Sequence, residues 1–187
     1  MVRAWLFNDD GTDQRLPHKP NPEVYIDLEE LKQRSGVSYW KLDADNYEEE
    51  GKLAKIRAER GYNYSDMIEC TPEKMNNYEE TLKRFFQEHI HADEEIRFVL
   101  DGSGYFDVRD TNDQWIRILV EKGDLIVLPP GIYHRFTLDE KNYAKVTRLF
   151  CGEPVWTAIN RPADEHPARQ KYLQMASENF KESVIST

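Results

Sequence analysis

Cysteine is almost missing: Cys70 and Cys151 are the only two in 187 residues. Far apart and outside any C-x-x-C spacing, they provide neither a zinc ribbon nor a disulfide framework. Reduced, mostly buried thiols in a reducing compartment are expected. Basic residues are also short, 25 Lys and Arg against 35 Asp and Glu for a net charge of −10, and they are scattered in pairs instead of forming a stripe. A phosphate backbone would find no basic face to neutralise it, so nucleic acid is not an expected partner. Long apolar runs are absent as well. No window approaches the ~18 apolar residues a membrane helix requires, and the start, MVRAWLFNDD, has no charged region followed by an apolar run of signal-peptide length. The expectation is a soluble, cytoplasmic protein with no transmembrane segment, not one secreted by the usual route.

What is present is aromatic. Phe, Trp and Tyr make up 12% of the chain, which can fill a core without help from cross-links. Against a soft prior of about 150 residues per domain, the length reads as a single domain spanning 1–187. Its expected core is about 87–155, with strands and helices before it in 1–86 and a closing helix at about 166–180.

Residues 2–7 (VRAWLF) suit a strand, ended by the turn composition Asn8-Asp9-Asp10-Gly11. Pro17, Pro20 and Pro22 hold an extended loop in which His18 is expected to face solvent. DLEELKQRSG carries an N-cap candidate at Asp27, Glu30 three residues later and Gly36 as a stop, which predicts a two-turn helix. VSYWKL then reads as a strand. Tyr47 to Arg60 is charged, with apolar residues only at Leu53, Ala54 and Ile56 before Gly61, and predicts one largely solvated helix. Thr71-Pro72 predicts the start of another, with Met75, Tyr78, Leu82 and Phe85 on one inward face. Phe85 and Phe86 immediately precede a pair of histidines.

From there the pattern is strand-like: EIRFVL, a DGSG turn, YFDVR, WIRILVEKGDLIVL, HRFTL and YAKVTRLFC. Short strands punctuated every 8 to 12 residues or so predict an all-β barrel or double-sheet roll. The closing helix, from Arg169 to Phe180, should bury Tyr172, Leu173 and Met175, with residues after Phe180 disordered. His166 is expected at the surface.

Within this barrel, His89 to His134 holds four possible metal ligands in 46 residues. In HIHADEE, His89 and His91 stand two apart, so on a strand both imidazoles face one side, roughly 6.5–7 Å apart along the chain. Glu95 would share that side on a straight strand, and the polar Asp93 and Glu94 suggest a bend that aims it inward. Pro129-Pro130-Gly131 then sets a sharp reversal before His134. Three imidazoles and one carboxylate suit Fe, Ni, Mn or Zn, and in octahedral geometry they leave two neighbouring positions for a chelating substrate. Structural zinc would favour a closed, Cys-containing tetrahedron.

The spacing His89-x-His91-x3-Glu95-x6-Gly102, followed by Gly123-x5-Pro129-x-Gly131-x2-His134, resembles the two signature motifs of the cupins. That resemblance implies a mainly β fold, a cupin jelly-roll β-barrel with several peripheral α-helices. Two positions depart from the generic motifs, Lys83 in place of a glycine and Leu138 in place of an asparagine, and neither is a ligand. RLPHKPNP, GVSYWKLDAD, HIHADEEIRFVLDGSGYFDVRD, GDLIVLPPGIYHRF and GEPVWTAINRPAD are similar to acireductone dioxygenases, cupin enzymes of methionine salvage. The resemblance implies one Fe(II) or Ni(II) ion per chain on His89, His91, Glu95 and His134. It places Arg97 and Phe136 in the substrate pocket, Arg97 with a catalytic role. Phe106 and Phe85 are further candidates for substrate binding, each equally consistent with plain core packing.

The implied substrate is acireductone together with O2, the implied oligomeric state a monomer. Vertebrate-type members are associated with the nucleus, with the inner face of the plasma membrane and with the cytoplasmic tail of a membrane protease, which extends those expectations to this chain. The rival readings are another metal cupin enzyme, such as a sugar-phosphate isomerase or a different dioxygenase, and a cupin scaffold acting as an interaction protein.

Overall fold

The structure is a computed structural model and describes residues 3–180. Eleven strands form a connected antiparallel sheet folded into a barrel. The centre of the architecture is β6 (Glu95–Arg109), 15 residues long and shared by both halves of the barrel. Its first part pairs with β8 (Asp124–Leu128) and β10 (Ala144–Phe150). Its second part pairs with β7 (Trp115–Glu121) and β9 (His134–Leu138).

The expected DGSG turn is therefore a corner within one strand, not a reversal between two. Gly102 has φ +73°, and a Cβ there would lie 2.2 Å from the Tyr143 carbonyl oxygen. Only glycine supplies that conformation beside a backbone so close. Between the pairs Lys145–Asp101 and Val146–Val99 the register skips Leu100 of β6, a bulge that bends β6 as it passes from one half to the other.

The N-terminal part supplies strands to the barrel as well. β1 (Arg3–Leu6) pairs with β7 and with the two-residue β2 (Tyr25–Ile26); β3 (Ser38–Lys41) pairs with β8. β4 (Tyr64–Cys70), a strand not expected from the local pattern, pairs along its whole length with β10. Its residues YSDMIEC mix charge with apolar side chains on an edge strand, so the two-residue alternation is blurred. The two-residue β5 (His89–Ile90) lies between β9 and β11 (Ile159–Asn160).

Helices cover the outside. α1 (Leu28–Ser35) is capped as expected: the Asp27 side chain accepts from Glu30 N, and Gly36 closes it in the left-handed conformation. The helix expected over Tyr47–Arg60 is two, α2 (Tyr47–Glu50) and α3 (Lys52–Arg60), because Gly51 takes φ +73° and breaks the hydrogen-bond ladder. α3 is less solvated than its charge suggested. Leu53 and Ile56 are buried with Tyr62 against Ile96, Phe98, Leu125, Val127 and Leu149 of the sheet, while Ala54 is exposed. Each such buried side chain contributes about 1.5–3 kcal/mol, enough to dock an otherwise polar helix.

The helix expected from Thr71 starts later, as α4 (Tyr78–Phe85). Thr71 Oγ1 accepts from Lys74 N and caps only a turn, and Asn77 at φ +51° separates that turn from the helix. α5 (Pro167–Ser177) closes the chain. Arg169 and Tyr172 are its buried residues, whereas Leu173 and Met175, expected inside, are 44% and 37% exposed because they fall off the 169-172-176 face. His166 is the N-cap of α5 and accepts from Ala168 N through Nδ1, so it has a structural task at the surface.

His18 also departs from expectation: it is 6% exposed, stacked on Phe7 and bonded to the carbonyls of Asn8 and Asp13. Of the two free thiols only Cys70 is buried; Cys151, just past the end of β10, is exposed. The expectation of disorder after Phe180 lies outside the described residues. Among the described residues no helix is long and apolar enough to cross a membrane.

Candidate metal centre

The side chains of β6 alternate between two apolar layers. Ile96 and Phe98 point outward to α3, so Glu95, Arg97 and Val99 point into the barrel. This puts a carboxylate and a guanidinium in the interior. β9 runs beside it and pairs His134 with Val108 of β6 on one side and with His89 of β5 on the other. After β5 the chain bends at Ala92 and Asp93 before re-entering the sheet at Glu95, as the polar pair Asp93-Glu94 predicted. On the outer side of that bend Glu94 is held by Tyr62 Oη (2.7 Å) and Arg60 (3.0 Å).

The four candidate ligands meet. One nitrogen from each of His89, His91 and His134 and one Glu95 oxygen all lie within 4.8 Å of one another. Nε2 of His91 and Nε2 of His134 are each 3.1 Å from Glu95 Oε2. The opposite ring nitrogens are all committed to backbone carbonyls: His89 Nδ1 to Gln87 O (2.7 Å), His91 Nδ1 to Thr157 O (2.7 Å) and His134 Nδ1 to Ile132 O (2.9 Å). A carbonyl only accepts, so each Nδ1 carries the proton, and in a neutral ring Nε2 is left with a lone pair. Two Nε2 lone pairs against one carboxylate oxygen is a repulsive arrangement unless a positive charge lies among them. A divalent cation satisfies all four donors at once, so the residues present fit a metal.

Electrostatics agree with this. His89 is pushed down to about 4, first by burial and then by His134. Burial also works against a charged His91, but the hydrogen bond and charge of Glu95 outweigh it and hold His91 above the ordinary imidazole value. Burial opposes ionisation of Glu95 most strongly, yet Arg97, His134 and His91 together keep it well below the usual carboxylate range. Arg97 NH2 stands 3.5 Å from Glu95 Oε1, and NH1 donates to Ile96 O.

Above the four ligands opens a cavity of about 250 Å3. All the substrate candidates line it: Arg97, Phe136, Phe106 and Phe85. The three phenylalanines form one aromatic wall, with ring centroids of Phe136 at 5.0 Å from Phe106 and 6.3 Å from Phe85. Apolar side chains of Ile68, Cys70, Val99, Val120 and Val146 complete the lining. Arg148 and Trp156 were missed by sequence reasoning. Arg148 is bidentate to Asp66 (2.8 and 2.5 Å), and Trp156 lies over it at 4.1 Å and over Arg97 at 5.6 Å. For Arg148 a signal existed: it shares strand parity with the apolar Ala144 and Val146, which marks an inward-facing cation. Trp156 sits in an irregular loop between β10 and β11 with no periodicity to read.

A site of this kind at the head of an apolar cavity invites comparison with known proteins. The ARD/ARD' family model matches residues 3–158. An acireductone dioxygenase from Ixodes scapularis is 62% identical over 175 residues, covering 93% of this chain and 96% of its own. The human acireductone dioxygenase is 58% identical over 178 residues, covering 95% and 99%, and acireductone dioxygenase 4 of Arabidopsis thaliana is 58% identical over 183 residues, covering 98% and 97%. Among solved structures, an acireductone dioxygenase from Bacillus anthracis with a cadmium ion in its active centre has the same fold, with a TM-score of 0.66 at 24% identity over 85% of this chain and 99% of that one. With the barrel, the converging donors and relatives this similar over nearly the full length, the chain belongs to the ARD/ARD' family of acireductone dioxygenases.

Proposed function

We infer that the chain carries out the reaction its relatives are named for, the oxidative cleavage of acireductone, 1,2-dihydroxy-3-keto-5-methylthiopentene, in methionine salvage. The single observation that carries this reading is that three imidazoles and a carboxylate converge at the head of an apolar cavity with the Arg97 guanidinium beside them. His89, His91, Glu95 and His134 would hold the ion, Fe(II) or Ni(II). When bound, that ion would supply Lewis-acid activation of the ionised enediol towards O2.

The protein's own residues do the rest. Arg97 is largely buried and its side chain faces the cavity, so its guanidinium can donate to an enolate oxygen and hold the substrate in its ionised, electron-rich form. Phe136, with Phe106 and Phe85, presents an apolar wall to the methylthio tail and keeps water from the reacting carbons. Thr157 O and the other two carbonyls fix the imidazole tautomers and leave each Nε2 free to hold an ion.

Two outcomes balance. Acireductone and O2 give 4-methylthio-2-oxobutanoate and formate in the Fe(II) reaction; in the Ni(II) reaction they give 3-methylthiopropanoate, carbon monoxide and formate. Elemental analysis of the purified protein, joined to identification of the products formed under air, tests both the reading and the branch. Isomerisation of a sugar phosphate without oxygen uptake would overturn it.

Arg97→Ala should keep its metal and lose turnover by about 10²–10³-fold, the range for removing one preorganised donor from a developing oxyanion. An unchanged rate constant would show that Arg97 is a bystander. Metal occupancy should also depend on pH. A ligand must shed its proton, and Glu95 makes His91 hold its proton above the ordinary imidazole value of about 6.5. Acid therefore competes first for the imidazoles, while Glu95 stays ionised well below the usual carboxylate range. Metal analysis after dialysis should show occupancy falling as the pH is lowered, because protonated imidazoles cannot hold the ion; a flat profile would contradict the ligand set.

A further inference from the structure

Helix α4 ends in two adjacent phenylalanines with different surroundings. Phe85 lines the cavity and meets Phe136. Phe86, the C-terminal cap of the helix, instead carries the Arg135 guanidinium over its ring, 3.9 Å from the centroid. Trp115 of β7 approaches the same guanidinium at 4.3 Å. Arg135 follows His134 on β9 and so projects to the opposite face of that strand, away from the metal centre. Its Nε donates to Asp107 Oδ2 at 2.9 Å, while its NH2 is buried with no hydrogen-bond partner among the described residues. The ring faces are what stabilise that end of the cation.

α4 has few other attachments. Only Leu82 of its eight residues is fully buried, and at its start Tyr78 Oη donates to Asn142 Oδ1 at 2.8 Å. A helix this short does not hold itself in place, so its position follows from these contacts. Arg84 and Phe85, which α4 contributes to the cavity wall, lie immediately before Phe86.

We propose that Phe86 is a positioning residue for the substrate: by seating the end of α4 on Arg135, it sets where Phe85 stands in the cavity wall without touching the substrate itself. The proposal rests on the dioxygenase reading and goes beyond it, since Phe86 lies outside both the ligand set and the cavity. It predicts an effect on substrate binding and not on the metal.

The test compares metal-loaded wild-type protein with Phe86→Leu, which keeps apolar bulk and removes the ring face, and with Phe86→Tyr, which keeps the face. Phe86→Leu should raise KM for acireductone about tenfold, the scale of one desolvated cation–π contact, with kcat within about twofold of wild type and metal content unchanged. Amide exchange over residues 78–86 should accelerate in the same variant, and Phe86→Tyr should restore both KM and exchange. A Phe86→Leu protein with a lower Tm but an unchanged KM would reduce Phe86 to plain packing and overturn the proposal. So would lost metal with a lower kcat at constant KM, which would place the effect at His134. Absence of acireductone turnover in the wild-type protein would sink the dioxygenase reading and this role with it, whereas wild-type turnover with an unaltered KM in Phe86→Leu sinks the positioning role alone.

Discussion

His91→Ala protein should come off purification folded, nearly free of metal and at least about a thousandfold less active than wild type, a loss of ~4 kcal/mol in transition-state stabilisation. His91 lies in the bend between β5 and β6, where its backbone carbonyl accepts from Gly131 N, a bond alanine keeps. What alanine removes is one of four donors and the 2.7 Å tether from Nδ1 to Thr157 O, which anchors the loop bearing Trp156. Glu95→Ala should also strip the metal, with a second consequence. Its carboxylate stands 3.5 Å from the largely buried Arg97, and leaving that cation without its partner lowers stability as well. Comparing the two variants by metal analysis and thermal unfolding therefore separates loss of the ion from loss of stability. Full activity in either metal-depleted variant would refute the ligand assignment.

Asp107→Ala should unfold at a temperature about 10 °C or more below wild type. Asp107 lies on β6 directly across from Arg117 on β7 and Arg135 on β9, so one carboxylate serves two guanidiniums. Arg117 donates from Nε and NH2 at 2.7 and 2.9 Å, and Arg135 Nε donates at 2.9 Å. The side chains of Asp107 and Arg117 are 1% and 0% exposed, so water cannot replace the lost partner. Removing the single anion leaves two buried cations facing each other, for which about 3–5 kcal/mol is the expected cost. At about 2–4 °C per kcal/mol in a domain of this size, the shift is large. A differential scan showing less than about 3 °C would mean that the carbonyls of Gln14 and Leu16, which also accept from Arg117, suffice for it. The metal centre, on the other face of β9, should keep its ion in this variant.

The residues that were legible in the sequence share one property: their meaning is set by near neighbours along the chain. His89 and His91 stand two apart at the end of β5, Gly131 permits the reversal before His134, and Asp27 with Gly36 brackets α1. The misreadings share the opposite property. Gly102 looked like a reversal because a glycine between two strand-like runs is compatible with either a hairpin or a corner. Only the presence of β8 and β10 on one side and β7 and β9 on the other decides for the corner. β4 was invisible because an edge strand buries too little to impose alternation, and α3 looked solvated because two apolar residues suffice once a sheet offers a matching face.

The sequence by itself determined the kind of chemistry available: which donor types exist, at what spacing, on what backbone, and with no thiol cluster, basic face or apolar span to suggest another use. Tertiary structure decided which groups meet. Arg148 and Trp156 join Arg97 at the cavity, and Asp107 is placed between two arginines, because strands distant in sequence are paired by backbone hydrogen bonds whose register no local pattern encodes. Alternation tells a side chain which face to take; the partner across the sheet is chosen by the packing of the whole barrel.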